Sequence, residues 1–156
     1  MRYREQGELH LDFHGATCTT IRYIREKYGM AALTELFHAM ADQVYKQMHE
    51  KLRQGDPTEL LEFWQYFFER EHGKFTLTST GAQCYELLVE ECPAVKHVRN
   101  LGMKNLDDCC LQTQMLNAAL CCDTPFNITT TKLGTCSCRQ TITPREHVPS
   151  FVVVMI

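Results

Sequence analysis

Apolar residues recur at helical spacing through the first half of the chain and alternate with polar ones in much of the second. Cys18, Ile21, Ile24 and Tyr28 form a loose stripe that predicts a helix from about Ala16, closing at Gly29. Leu33, Leu36, Phe37, Met40, Val44, Met48 and Leu52 hold the three-or-four spacing of a core-facing helix, so one helix is expected from about Met30 to Arg53. The sequence QGDP at 54–57 interrupts that stripe. Asp56 is placed to cap a third helix with Pro57 at its first position. This helix carries FWQYFF at 63–68, aromatic at all but one position, and so is apolar on more than one side. It is expected to lie squeezed between a sheet and neighbouring helices, with a role in lining a ligand pocket as the alternative.

The period changes after Gly73. KFTLTST at 74–80 alternates with β-favouring residues, Gly81 marks a turn, and QCYELLVEE at 83–91 is expected to pair back as a hairpin. PAVKHVRNLG predicts a short helix opening at Pro93, and a longer helix follows from about Leu106 to Cys121. FNITTTK, a Leu133–Gly134 turn and TCSCRQTIT then read as a second hairpin, with SFVVVMI at 150–156 as a candidate last strand. The fold class expected is α+β: N-terminal helices packed on an antiparallel sheet built from hairpins, with two further helices inserted between them.

Composition narrows the possibilities. At 156 residues the chain is long enough to bury a sizeable core, and a single domain over 1–156 is expected. A net charge of -3 with scattered basic residues provides no electrostatic footprint for nucleic acid or an anionic membrane surface. FVVVMI is far short of the ~20 apolar residues that a membrane span needs. The N-terminal MRYREQGELHLDF lacks the apolar core of a secretory signal, so a cytoplasmic location is expected, with the nine cysteines kept reduced. A small molecule is then the natural partner. A second copy of the chain is another candidate, met through the last strand, which as an unpaired edge invites aggregation.

The cysteines carry most of the candidate chemistry. CCLQTQMLNAALCC at 109–122 opens and closes with a pair. On one unbroken helix Cys110 and Cys121 lie about 16 Å apart along the axis. Sulfurs held about 2.3 Å from one zinc ion cannot span that, and neither can a disulfide. The first pair sits at the helix start, where the dipole favours a thiolate; the second sits at the far end, where it does not. Cys84, Cys121 and Cys122 are expected to be packing thiols. Cys92, just before Pro93, has the advantage of another helix start. In an extended TCSC, Cys136 and Cys138 share a face and Arg139 takes the other. A cluster of Cys92, Cys109 or Cys110, and Cys136 is therefore reasonable, although its spacings do not match a zinc ribbon. HLDFH, if extended, places His10, Asp12 and His14 on one face, as metal ligands or with His14 as a base near Cys18; a polar strand edge is the plainer reading. There is no glycine-rich dinucleotide fingerprint and no P-loop.

YELLVEECPAV, the helix opening LDDCC, and FNITTTKLGTCSCRQTI resemble the L-2-amino-thiazoline-4-carboxylic acid hydrolase family over about 75–143, with the helix from Met30 also in keeping. The resemblance implies a hydrolase that adds water at the amidine carbon of a thiazoline and expels the ring sulfur. Carried over by position, it implies Cys92, Cys110 and Cys136 as the reacting cysteines, with Cys109 an alternative to Cys110. The family's helix cysteine is followed at the third position by an aspartate, where this chain has Gln112 or Thr113. Activation by a depressed thiol pKa is the expected route, with His14 as a candidate base for water. Arg139 or Lys132 is expected to bind the substrate carboxylate, although strand alternation turns Arg139 away from Cys136. No cofactor is required by that chemistry. The rival readings are a non-catalytic small-molecule or redox-sensing domain, similar to 4-vinyl reductase-type domains, and a zinc or iron–sulfur protein using Cys92, Cys109, Cys110, Cys136 and Cys138.

Overall fold

The first helical stretch, α1 (Asp12–Gln43), turns back on itself at Gly29, whose φ of 84° and ψ of 178° suit a residue without Cβ. In the computed structural model, which describes residues 12–104 and 106–145, Phe13 and Met40 line one groove. On a straight helix they would stand about 40 Å apart. The stripe from Met30 is broken as well: α1 ends at Gln43 and α2 (Lys46–Arg53) begins three residues later. The amides of Val44 and Tyr45 both reach the carbonyl of Met40 at 2.9 Å. That tight stop leaves Val44, expected in the core, 47% exposed. Met48 and Leu52 remain buried on α2, so the core-facing stripe survives the break in the backbone.

The remaining elements follow the expected order: α3 (Thr58–Arg70), β1 (Lys74–Gly81), β2 (Cys84–Glu91), α4 (Pro93–Asn100), α5 (Asp107–Leu120), β3 (Phe126–Lys132) and β4 (Cys138–Pro144). The class is α+β. Asp56 accepts the Thr58 amide at 3.0 Å, but the N-cap position falls on Pro57, one residue later than expected, because the Pro57 carbonyl is the first to accept from the helix. The aromatic run divides as the helix turns: Trp64 and Phe68 are buried, Phe63 and Phe67 half-buried, and Tyr66 lies outside with Arg70 over its ring. SFVVVMI and His10 lie outside the described residues.

All strand pairs are antiparallel, in the order β1-β2-β4-β3. The register aligns Phe75, Val89, Cys138 and Lys132 in one row across the sheet, and Leu77, Leu87, Gln140 and Thr130 in the next. These rows belong to the face that buries Leu87, Val89, Phe126, Ile128, Gln140 and Ile142. Side chains alternate, so Arg139 and Thr141 belong to the opposite face. Cys136 precedes β4 and lies in the turn at 133–137, not in an extended strand; Leu133 and Gly134 donate to the Ser137 carbonyl at 3.0 and 3.2 Å and close that turn.

Two clusters of buried residues result. The larger joins Leu33, Phe37, Leu52, Trp64, Phe68, Leu87, Leu120, Phe126 and Ile142 across helices and sheet. Its principal polar inclusion is paired: Asn117 on α5 donates to Gln140 Oε1 at 2.8 Å and to Thr130 Oγ1 at 3.0 Å. The smaller cluster is built around Cys18, Val95, Val98 and Cys109.

Candidate thiol site

Cys92, Cys110 and Cys136 all pack against that smaller cluster, with Met103 and Leu106. Three different segments deliver them. Cys92 has extended backbone and precedes Pro93 at the first position of α4, where the missing N–H of proline costs no helix hydrogen bond. Cys110 sits in the first turn of α5. Cys136 is held by the closed turn before β4, and its carbonyl accepts the Cys92 amide at 2.7 Å. Cys138 enters beside them from the helix-facing side of the sheet, opposite Val89.

Cys18 on α1 and Cys109 on α5 form a disulfide, with Cα atoms 5.5 Å apart. This corrects the expectation of uniformly reduced cysteines, and it leaves Cys110 as the free thiol at the start of α5. The other seven cysteines are unpaired. Cys121 and Cys122 lie beyond the far end of α5; they and Cys84 are half-buried.

Electrostatics run against a resting thiolate. Burial pushes the Cys92 thiol up; the first-turn amides of Val95 and Ala94 pull it down, and negative charge on Cys110 or Cys136 raises it further. Burial also raises Cys110, opposed by Lys132 and reinforced by Asp107. Cys138 is pushed up to about 12, first by burial and then by its neighbours Cys92 and Cys110. The expected dipole activation of Cys110 is thus outweighed by desolvation and by an aspartate in the same helical turn.

Lys132 ends the sheet row that contains Cys138, pairs with Asp107, and is the cation Cys110 feels. Arg139 is placed elsewhere: on the outer sheet face it pairs with Glu86 at 3.1 Å. The extended reading of HLDFH is also corrected, because residues 12–14 are helical. His14 points inward, its Nε2 2.6 Å from Glu71 Oε2 with both side chains 3% exposed. Phe67 and His97 stand beside its ring at centroid distances of 6.2 and 6.3 Å. The buried Nε2 of His97 makes no hydrogen bond among the described residues.

Sequence reasoning overlooked Asp108. Its carboxylate is fully buried and accepts Arg22 Nε at 2.8 Å, with Arg25 at 2.7 Å on the other oxygen. Arg22 and Arg25, three residues apart on one face of α1, were the available signal. With the neighbouring disulfide, this ion pair fixes α1 to the start of α5 and so sets where Cys110 stands. A separate apolar groove of about 220 Å³ runs between the limbs of α1, with Thr17, Thr20 and Gln112 at its margin.

Among the described residues, no group of three or more His, Cys, Asp or Glu side chains is arranged to hold a metal ion, and no helix is long and apolar enough to cross a membrane. No protein-family model, curated protein or solved structure matches this chain.

Proposed function

We propose that this chain is a hydrolase of the kind its sequence resembles, opening the C–S bond of a small cyclic amidine with cysteine participation. The observation that carries this reading is the convergence of Cys92, Cys110 and Cys136, from three separate segments, with Lys132 near enough for its charge to act on Cys110. Cys110 is the nucleophile. Its thiol first loses its proton to solvent. The thiolate attacks the amidine carbon of a 2-aminothiazoline-4-carboxylate, the ring C–S bond breaks, and the expelled sulfur takes a proton from Cys136, leaving a Cys136 thiolate. Water then attacks the carbon bound to Cys110, giving one proton to the former ring nitrogen and one to Cys136. The bond to Cys110 breaks, releasing N-carbamoyl-cysteine and the Cys110 thiolate. Lys132 exchanges Asp107 for the substrate carboxylate. Cys92, which burial keeps protonated, packs beside the other two thiols; Arg139 takes no part because it stands on the outer sheet face, and His14 because it is buried against Glu71.

The experiment is direct incubation of the reduced protein with 2-aminothiazoline-4-carboxylate, with N-carbamoyl-cysteine read by mass spectrometry. Cys110→Ala and Cys136→Ala are expected to lower turnover by about 100-fold or more. The rate is expected to rise with pH above neutrality, since burial holds the Cys110 thiol protonated. No product from the wild type, or undiminished product from both variants, overturns the proposal. A second reading, a thiol-based redox sensor without turnover, draws its support from the disulfide already present beside the free thiols.

A further inference from the structure

The backbone hydrogen bond between Cys92 and Cys136 has a consequence for their sulfurs. An N···O distance of 2.7 Å limits the two Cα atoms to about 6.6 Å apart, given standard bond lengths on either side. Disulfides usually span roughly 4.4–6.8 Å between Cα atoms. Both side chains turn into the same cluster, and each lies near enough for the charge of Cys136 to act on Cys92. Both are half-buried; Cys136 stands in a turn flanked by the exposed Thr135, and Cys92 at the helix start. Cys109, by contrast, is already taken by Cys18, and Cys110 belongs to a different segment with no backbone bond to either.

We infer that Cys92 and Cys136 form a reversible thiol-exchange site that takes a low-molecular-weight disulfide and closes into a second internal cross-link. The Cys136 thiolate attacks one sulfur of the external disulfide R–S–S–R; that S–S bond breaks, and one RS⁻ leaves and is protonated. The Cys92 thiolate then attacks Cys136 Sγ in the mixed disulfide, the second RS⁻ leaves, and the Cys92–Cys136 bond forms. Two protein thiols are oxidised and one external disulfide is reduced to two thiols. Closure removes two of the three cysteines that the hydrolase reading uses, so its effect on turnover rests on that reading; the cross-link itself does not.

The test treats the full chain with glutathione disulfide, blocks remaining thiols by alkylation, and maps linked peptides by mass spectrometry. The expected result is a Cys92–Cys136 linked peptide, loss of two of the seven free thiols, and full recovery on adding dithiothreitol. Cys92→Ser is expected to stop at a stable glutathione adduct on Cys136. If that variant does not fold, the wild-type map decides alone. Both thiols remaining free, a lasting glutathione adduct on wild-type Cys136, or a link from either residue to Cys110 overturns the inference. Where the ring-opening reaction is present, oxidation is expected to lower it by about 10-fold or more, reversibly. A wild type that forms the cross-link but never opens the ring overturns the hydrolase proposal and leaves this one standing.

Discussion

The large apolar cluster and the small sulfur-lined one exclude water about equally well, but they are held together by different means. In the large cluster, leucines, phenylalanines and a tryptophan from helices and sheet touch one another, and cohesion is spread over many contacts. In the small one, two valines and a disulfide form the centre and half-buried thiols form the wall. The first is redundant and chemically inert. The second is thin, depends on one covalent bond and a buried carboxylate between two arginines, and presents free thiols. Free thiols here double as packing material, and the desolvation that comes with packing raises the pKa values of Cys92, Cys110 and Cys138.

The comparison is broken most severely by emptying the large cluster. Phe126→Ala removes a fully buried ring and is expected to cost about 3–5 kcal/mol, with or without reductant, measured as a shift in the urea midpoint. Cys18→Ser is expected to cost about 2–4 kcal/mol, because the cross-link closes a long loop between residues 91 apart. That deficit should vanish when mutant and wild type are compared under dithiothreitol. A cost that persists at full size in reductant would show that Cys18 stabilises by packing alone.

The smallest effect is the one that separates the clusters by pH. Cys138, Cys92 and Cys110 have folded-state pKa values raised above the ordinary thiol value of 9.0. Above that value the unfolded chain loses these protons while the folded chain keeps them, so the unfolded state binds fewer protons and stability falls as pH rises. In reduced protein the urea midpoint is therefore expected to decline from about pH 9 toward 12. Cys138→Val should flatten the slope, since the thiol held protonated to about pH 12 is gone. An unchanged slope in that variant would assign the alkaline loss to other groups.

Much of the second half of the molecule was legible because its signals are local. Pro93 marks a helix start, Gly81 a turn, and the alternation of KFTLTST and FNITTTK marks strands whose partners lie nearby in the chain. Alternation also placed Arg139 correctly, away from the thiols. Periodicity misled where backbone and stripe part company: Leu33 through Leu52 present one apolar face although the helix stops at Gln43. Convergence of Cys92, Cys110 and Cys136 could be anticipated because each lies at or beside a segment boundary. The Cys18 pairing could not, since it depends on how α1 docks against α5 across 91 residues of chain. Nor could the His14–Glu71 contact, which joins residues 57 apart whose local sequences suggest only a helix face and a helix end.

Gly73 sets the tolerance between the two clusters. A Cβ built there would stand 2.8 Å from the ring of Phe68, in the large cluster, and 3.1 Å from Pro93, which follows Cys92. The chain passes between them with no more than a hydrogen atom on its inner side. Phe68, Gly73 and Pro93 thus act as a spacer gauge: its thickness fixes how far the first turn of α4 stands from the end of α3. A single added methyl would have to be absorbed as displacement of one helix or the other. The inert part of the protein is in this way the machined surface against which the Cys92 sulfur is set.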